Sequence, residues 1–146
     1  MLTALIRRYT TEHPMTQVTY ARDDAKRRIT VMTSGPVTLT DILKNIDRQV
    51  SEGTWAYALL YDTGDAASIP STEDIDRVIG RVRAVAAQLG RRGPVAIVSR
   101  SPGAVQAARE YAIVEHDVGA VGFFRHLEEA QRWLDMSSFT AEHRSD

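Results

Sequence analysis

The chain reads as an α/β protein, a mixed sheet with helices packed on it in the order β-β-α-β-α-β-α-β-α. Three observations predict this. Residues 55–61, WAYALLY, put Trp55, Tyr57, Leu59 and Tyr61 on one side and Ala56, Ala58 and Leu60 on the other. Both faces are therefore apolar, as in a central parallel strand covered on both sides. From Ile75 the apolar period becomes helical, with Ile75, Val78, Ile79, Val82, Val85, Ala86 and Leu89 in one core-facing stripe. The strand-then-helix succession recurs downstream, and a hairpin precedes it, which demands a sheet of mixed direction.

Taken in order, residues 1–14 carry no strong period and stop at Pro14. They are expected to form a flexible extension, the alternative being an amphipathic arm that docks Leu2, Leu5 and Ile6 on a partner or membrane. The apolar start is too short, and too soon followed by Arg7 and Arg8, for a signal segment or a membrane span. Residues 17–35 then predict a hairpin, with Val18 and Tyr20 alternating before the turn and Ile29 and Val31 after it. The paired acids Asp23 and Asp24 sit at its tip beside Arg22, Lys26, Arg27 and Arg28, which reads as a solvated turn rather than a metal site.

Thr38 or Thr40 caps the next helix, whose inner stripe is Leu39, Ile42, Leu43, Ile46 and Val50 and whose stop is Gly53. After the central strand and its helix, Gly90 to Pro94 mark an end and a restart, and PVAIVS is a second buried strand. Ser101 with Pro102 starts a helix over residues 102–116. AVGFF is a third buried strand, and LEEAQRWL turns Leu127, Ala130, Trp133 and Leu134 inward. Residues 15–136 are thus expected to be a single domain and residues 137–146 a disordered tail.

Composition narrows the function. The 146 residues hold 18 basic and 19 acidic side chains, net −1, mixed along the chain. No basic face for nucleic acid emerges. The absence of cysteine excludes disulfides, thiolate metal sites and a cysteine nucleophile. His13, His116, His126 and His143 form no metal-binding spacing, and Ser99 and Ser101 lack the nucleophile elbow. A phosphoacceptor receiver, suggested by Asp62 at a strand end, lacks the acidic pair after the first strand and has Arg125 near where a lysine is needed. No catalytic residue, metal or cofactor is expected, and the default compartment is the cytoplasm.

In an open sheet of this kind, ligands bind beyond the carboxyl ends of the parallel strands. That edge collects Asp62, Thr63 and Asp65, then Ser99, Arg100 and Ser101, then Arg125 and His126, with helix starts at Ser71–Thr72, Ser101 and His126. Unpaired N–H groups and two arginines suit a small anion or a partner surface. The alternative is that Ser71 and Ser101 only cap helices while Asp62 and Asp65 pair with the arginines.

The hairpin opening, YDTGDAASIPSTEDI, GPVAIVSRSP and GFFRHLEEAQRWL together resemble the bacterial STAS superfamily in its SpoIIAA-like branch, over residues 17–136. The resemblance implies a non-enzymatic regulatory or ligand-binding module. Its best-known members are anti-sigma-factor antagonists switched by phosphorylation of a serine at the start of the helix after the central strand. Ser71 or Thr72 stands at that place, but Pro70-Ser71-Thr72-Glu73 replaces the usual Asp-Ser-Ser-Gly, and His126 stands where relatives often have an Asp cap. The expected function is a STAS-like protein-interaction module with a protein partner. The alternative is a carrier of a small anionic or lipid-like ligand at the strand ends. A homodimer is expected through Ala107, Tyr111 and Val114, a stripe beside an inward one through Val105, Ala108 and Ala112.

Overall fold

The computed structural model describes residues 17–64 and 70–144, without the side chains of residues 111, 113–117 and 138–144. The N-terminal extension, residues 1–14, lies outside the described residues. Five strands form one sheet in sequential order: β1 (Gln17–Asp23), β2 (Arg28–Ser34), β3 (Ala58–Asp62), β4 (Val95–Val98) and β5 (Val121–Phe124). β1 runs antiparallel to β2, and β2 to β5 are parallel neighbours, with Leu59 opposite Val95 and Val95 opposite Val121. The helices are α1 (Leu39–Glu52), α2 (Thr72–Leu89), α3 (Ala104–Val118) and α4 (Leu127–Arg144).

Strand alternation divides the core. Leu59, Tyr61, Val95 and Ile97 face one way, toward the layer in which Ile46, Ile75, Val78, Val82 and Ala107 of α1, α2 and α3 pack together. Ala58, Leu60, Ala96 and Val98 face the other, where Ala130 and Leu134 of α4 cover them. Trp133 is half-buried there, its ring centroid 5.6 Å from that of Phe124, and Arg28 Nη2 donates to Asp135 Oδ1 at 2.7 Å.

The predicted caps of α1 form. Thr38 Oγ1 accepts from Asp41 N at 3.2 Å to start α1, and Gly53 ends it at φ 72°, a conformation open to a residue without Cβ. The hairpin tip is closed by its own acids: Asp23 Oδ1 accepts from Lys26 N at 3.0 Å, and Asp24 Oδ1 accepts from Arg22 Nε at 2.6 Å and Tyr57 Oη at 2.7 Å.

Four expectations need correction. The central strand begins at Ala58, three residues later than read, because Ala58 pairs with Arg28 and Leu59 with Val95, leaving Trp55 to Tyr57 no complete ladder to join. Trp55 instead packs in the helix-layer core and donates from Nε1 to Gly90 O at 2.9 Å. On α1 the expected stripe does meet the core, with Ile46 in it and Leu39, Ile42, Leu43 and Val50 packed against it, and the polar Asn45 and Gln49 are buried as well. Leu89 is 54% exposed, since the α2 core face ends at Val85 and Ala86.

On α3 the stripe read as inward is the outer one. Val105 is 61% exposed and Ala112 exposed, while Ala104 and Ala107 are buried, their small side chains suiting a close approach to β5. The Tyr111 and Val114 side chains lie outside the described residues. Finally, α4 does not stop near Met136 but continues to Arg144; residues 127–144 contain no Gly or Pro, and Ser137 Oγ donates back to Trp133 O at 2.9 Å.

Candidate functional site

The carboxyl ends of β2 to β5 share one edge, and the helix starts stand along it. The chain before α2 is extended at Ser71, with ψ 166°, so its hydroxyl accepts from Asp74 N at 3.2 Å while Ile75 N donates to Ser71 O at 2.9 Å. Glu73 and Asp74 follow in the first turn, where the helix dipole favours negative charge. Ser71 and Thr72 are both exposed.

Ser101 behaves differently from the predicted cap. Residues 102 and 103 form a turn, Ala104 N donates to Ser101 O at 3.0 Å, and α3 begins only at Ala104. The Ser101 hydroxyl accepts from Gly103 N at 3.3 Å, and its own N–H donates to Ser99 Oγ at 3.1 Å. Both serines are buried and serve the bend out of β4. Thr63 is buried too, its hydroxyl donating to Val98 O at 2.6 Å and tying β3 to β4. Asp62 Oδ1 accepts from Gly64 N at 2.8 Å, so this carboxylate closes its own loop. Asp65 lies outside the described residues. His126 precedes α4, and its carbonyl accepts from Ala130 N at 3.3 Å.

Two grooves flank Ser101. One, of about 360 Å³, lies between the starts of α2 and α3 and is lined by Ser71, Thr72, Ser101, Gln106 and Glu110. The other, of about 560 Å³, holds Ser99, Arg100, Arg125, Val105 and Phe124. The residues expected to form one site therefore separate: the hydroxyls at the α2 start belong to the first groove and the arginines to the second. Glu110 was missed by the sequence reading. It places a buried carboxylate oxygen without a hydrogen-bond partner at the first groove, which disfavours a free anion there. Its signal was available, since Gln106 and Glu110 fall at i and i+4 on one helix face.

At the hairpin the electrostatics are local. The Tyr57 hydroxyl and then Arg22 hold the Asp24 carboxyl below the ordinary range, Arg48 does the same for Glu52, and burial pushes the Tyr20 phenol up. None of these groups lies at the strand-end grooves. Among the described residues no group of three or more metal-ligating side chains comes together, and no helix is long and apolar enough to cross a membrane.

No family model and no curated protein matches the chain. Solved structures do. An anti-sigma factor antagonist from Mycobacterium paratuberculosis is similar at TM-score 0.53 and 13% identity, over 83% of this chain and 95% of that one. An uncharacterised protein with a SpoIIAA-like fold from Shewanella loihica is similar at TM-score 0.50 and 15% identity, over 82% and 93%. The chain thus has the SpoIIAA-like, STAS-type fold predicted from its sequence.

Proposed function

We propose that this SpoIIAA-like domain is a regulatory module that binds another protein at the carboxyl end of its sheet, with Ser71 and Thr72 at the centre of the contact. The observation that carries the reading is the exposed hydroxyl of Ser71 at the α2 start, on the rim of a groove that also presents Glu110. Phosphate or an acidic substitute at Ser71 would sit on the positive end of the helix dipole, so the fold tolerates it. The groove would not, because the new charge faces the Glu110 carboxylate and any partner surface built for a hydroxyl. Fold and binding thereby respond in opposite ways. The anti-sigma factor antagonist of like fold supports a protein partner by analogy alone.

Native mass spectrometry of protein purified from its own host names the partner, and titration with wild type, Ser71→Ala and Ser71→Asp tests the site. Ser71→Asp is expected to lose binding while melting like wild type, since an unpaired charge in an interface is costly. An Asp variant that binds normally, with Ala the more harmful change, reduces Ser71 to a helix cap. The proposed homodimer rests on the outward face of α3, where Val105 and Ala112 are exposed. Sedimentation is expected to show dissociation on Val105→Glu, and a wild-type monomer at micromolar concentration refutes it.

A further inference from the structure

Between the sheet and the α1–α2–α3 layer lies a partly open, mostly apolar space of about 70 Å³. Ile46, Val78 and Ala107 close it from the helices, and Leu59, Val95 and Ile97 from the sheet. It extends from Arg92, before β4, to Thr63, just past β3, so it runs along the strands and approaches the carboxyl edge at Val37 and Pro70. Protein interiors seldom leave such a space unfilled, and one lined mostly by apolar side chains admits small apolar molecules.

One residue on its wall is out of place. Asn45 is 7% exposed, faces this space, and its Nδ2 has no hydrogen-bond partner. Burying an unpaired amide donor is unfavourable, and the flanking Ile42 and Ile46 show that this stretch of α1 carries aliphatic side chains readily. A leucine of similar volume would fill the position at no polar cost. An unpaired donor facing an apolar void is instead what a ligand with an acceptor requires: the apolar body replaces missing packing, and the acceptor satisfies the amide.

We infer that this space is a binding site for a small, mostly apolar molecule bearing one hydrogen-bond acceptor, a short ketone, ester or alcohol, oriented by the Asn45 amide. Its volume is about half of the roughly 150 Å³ in which an apolar cavity holds benzene, so the buried part of the ligand has about three heavy atoms and the rest reaches toward the open end. The site shares Pro70, Ile75 and Ala107 with the first strand-end groove, but Asn45 lines neither groove, and the proposal does not depend on the partner-binding reading. It also relocates the apolar half of the ligand-carrier alternative, from the edge to the space beneath the helices.

The test uses the intact chain with methyl and side-chain amide labels, titrated with 2-butanone and with 2-methyl-1-butene, which has the same shape but no acceptor. Both probes are expected to shift the methyl resonances of Ile46, Val78 and Ile97 saturably, and only the ketone to shift the Asn45 side-chain amide. Asn45→Leu is expected to weaken the ketone about tenfold, the loss of one ordinary hydrogen bond, while moving the alkene by less than about threefold. Methyls silent to both probes, a ketone and an alkene equally affected by Asn45→Leu, or an Asn45 amide bonded only to a resident water overturn the proposal. The amide shift is read in wild type, so it stands even if the variant fails to fold.

Discussion

The two ends of the sheet are built on different physics. At the amino end of the parallel strands the connections are locked to one another. Trp55 Nε1 donates to Gly90 O at 2.9 Å, Gly93 N to Trp55 O at 3.1 Å and Arg92 N to Val118 O at 2.9 Å. The Arg92 guanidinium lies 4.9 Å from the centre of the Trp55 ring and donates from Nη2 to Gln49 Oε1 at 2.6 Å. Gln49 is fully buried and in turn donates to Thr54 O. At the carboxyl end the chain turns with short local bonds at Asp62, Ser71, Ser99 and Ser101 and leaves two open grooves. Changes at the amino end should therefore act on stability, and changes at the carboxyl end on binding.

The largest expected effect is at Trp55. Trp55→Ala removes a buried indole and its hydrogen bond and is expected to cost about 3 to 5 kcal/mol by denaturant titration. A cost near zero would show that the amino end is not a cross-linked unit. Next comes Gly93→Ala, because a Cβ there would overlap the Tyr57 and Ala56 carbonyl oxygens. Separating that close approach is expected to cost about 3 kcal/mol, at the upper end for overpacking, and a melting temperature equal to wild type would refute the contact.

At the other end, Ser71→Ala removes only a cap, with an expected loss of about 1 kcal/mol, and Ser71→Asp keeps a capping oxygen and should melt within a few tenths of wild type. Equal losses at Trp55 and Ser71 would erase the distinction between the ends.

The smallest effect sharpens it by pH. Asp24 and Glu52 titrate below their ordinary values, so their contribution is complete above the unfolded carboxylate range and fades as pH falls through the lower folded values, below about pH 4. Asp24 is exposed and Glu52 only half-buried, so the change is slight. The stability gap between wild type and Asp24→Asn is expected to narrow between pH 5 and pH 3, and a gap that widens reverses the sign of the argument.

The candidate site was only partly legible. Ser71 was readable as a cap because a hydroxyl before an acidic first turn is a local pattern. Arg100 and Arg125 were readable as strand-end residues, but not as members of a different groove from Ser71, since that separation depends on how α3 leaves β4. Glu110 lay within reach of helical spacing, yet its face could be chosen only once the orientation of α3 was known.

By itself the sequence determined the element order, the two-sided apolar character of β3 and β4, the hairpin turn and the start of α2, because these depend on residues a few positions apart. Tertiary structure decided the rest. Trp55 leaves the strand because neighbouring strands offer it no full ladder, and Gln49 is buried because Arg92 arrives from 43 residues away to bond it. Val105 faces out because Ala104 and Ala107 let α3 lie close to β5. Asn45 faces an apolar space because α1 and the sheet stand apart there. In each case burial is a property of what lies opposite, and a helical or strand period shows which residues share a face without showing what that face will meet.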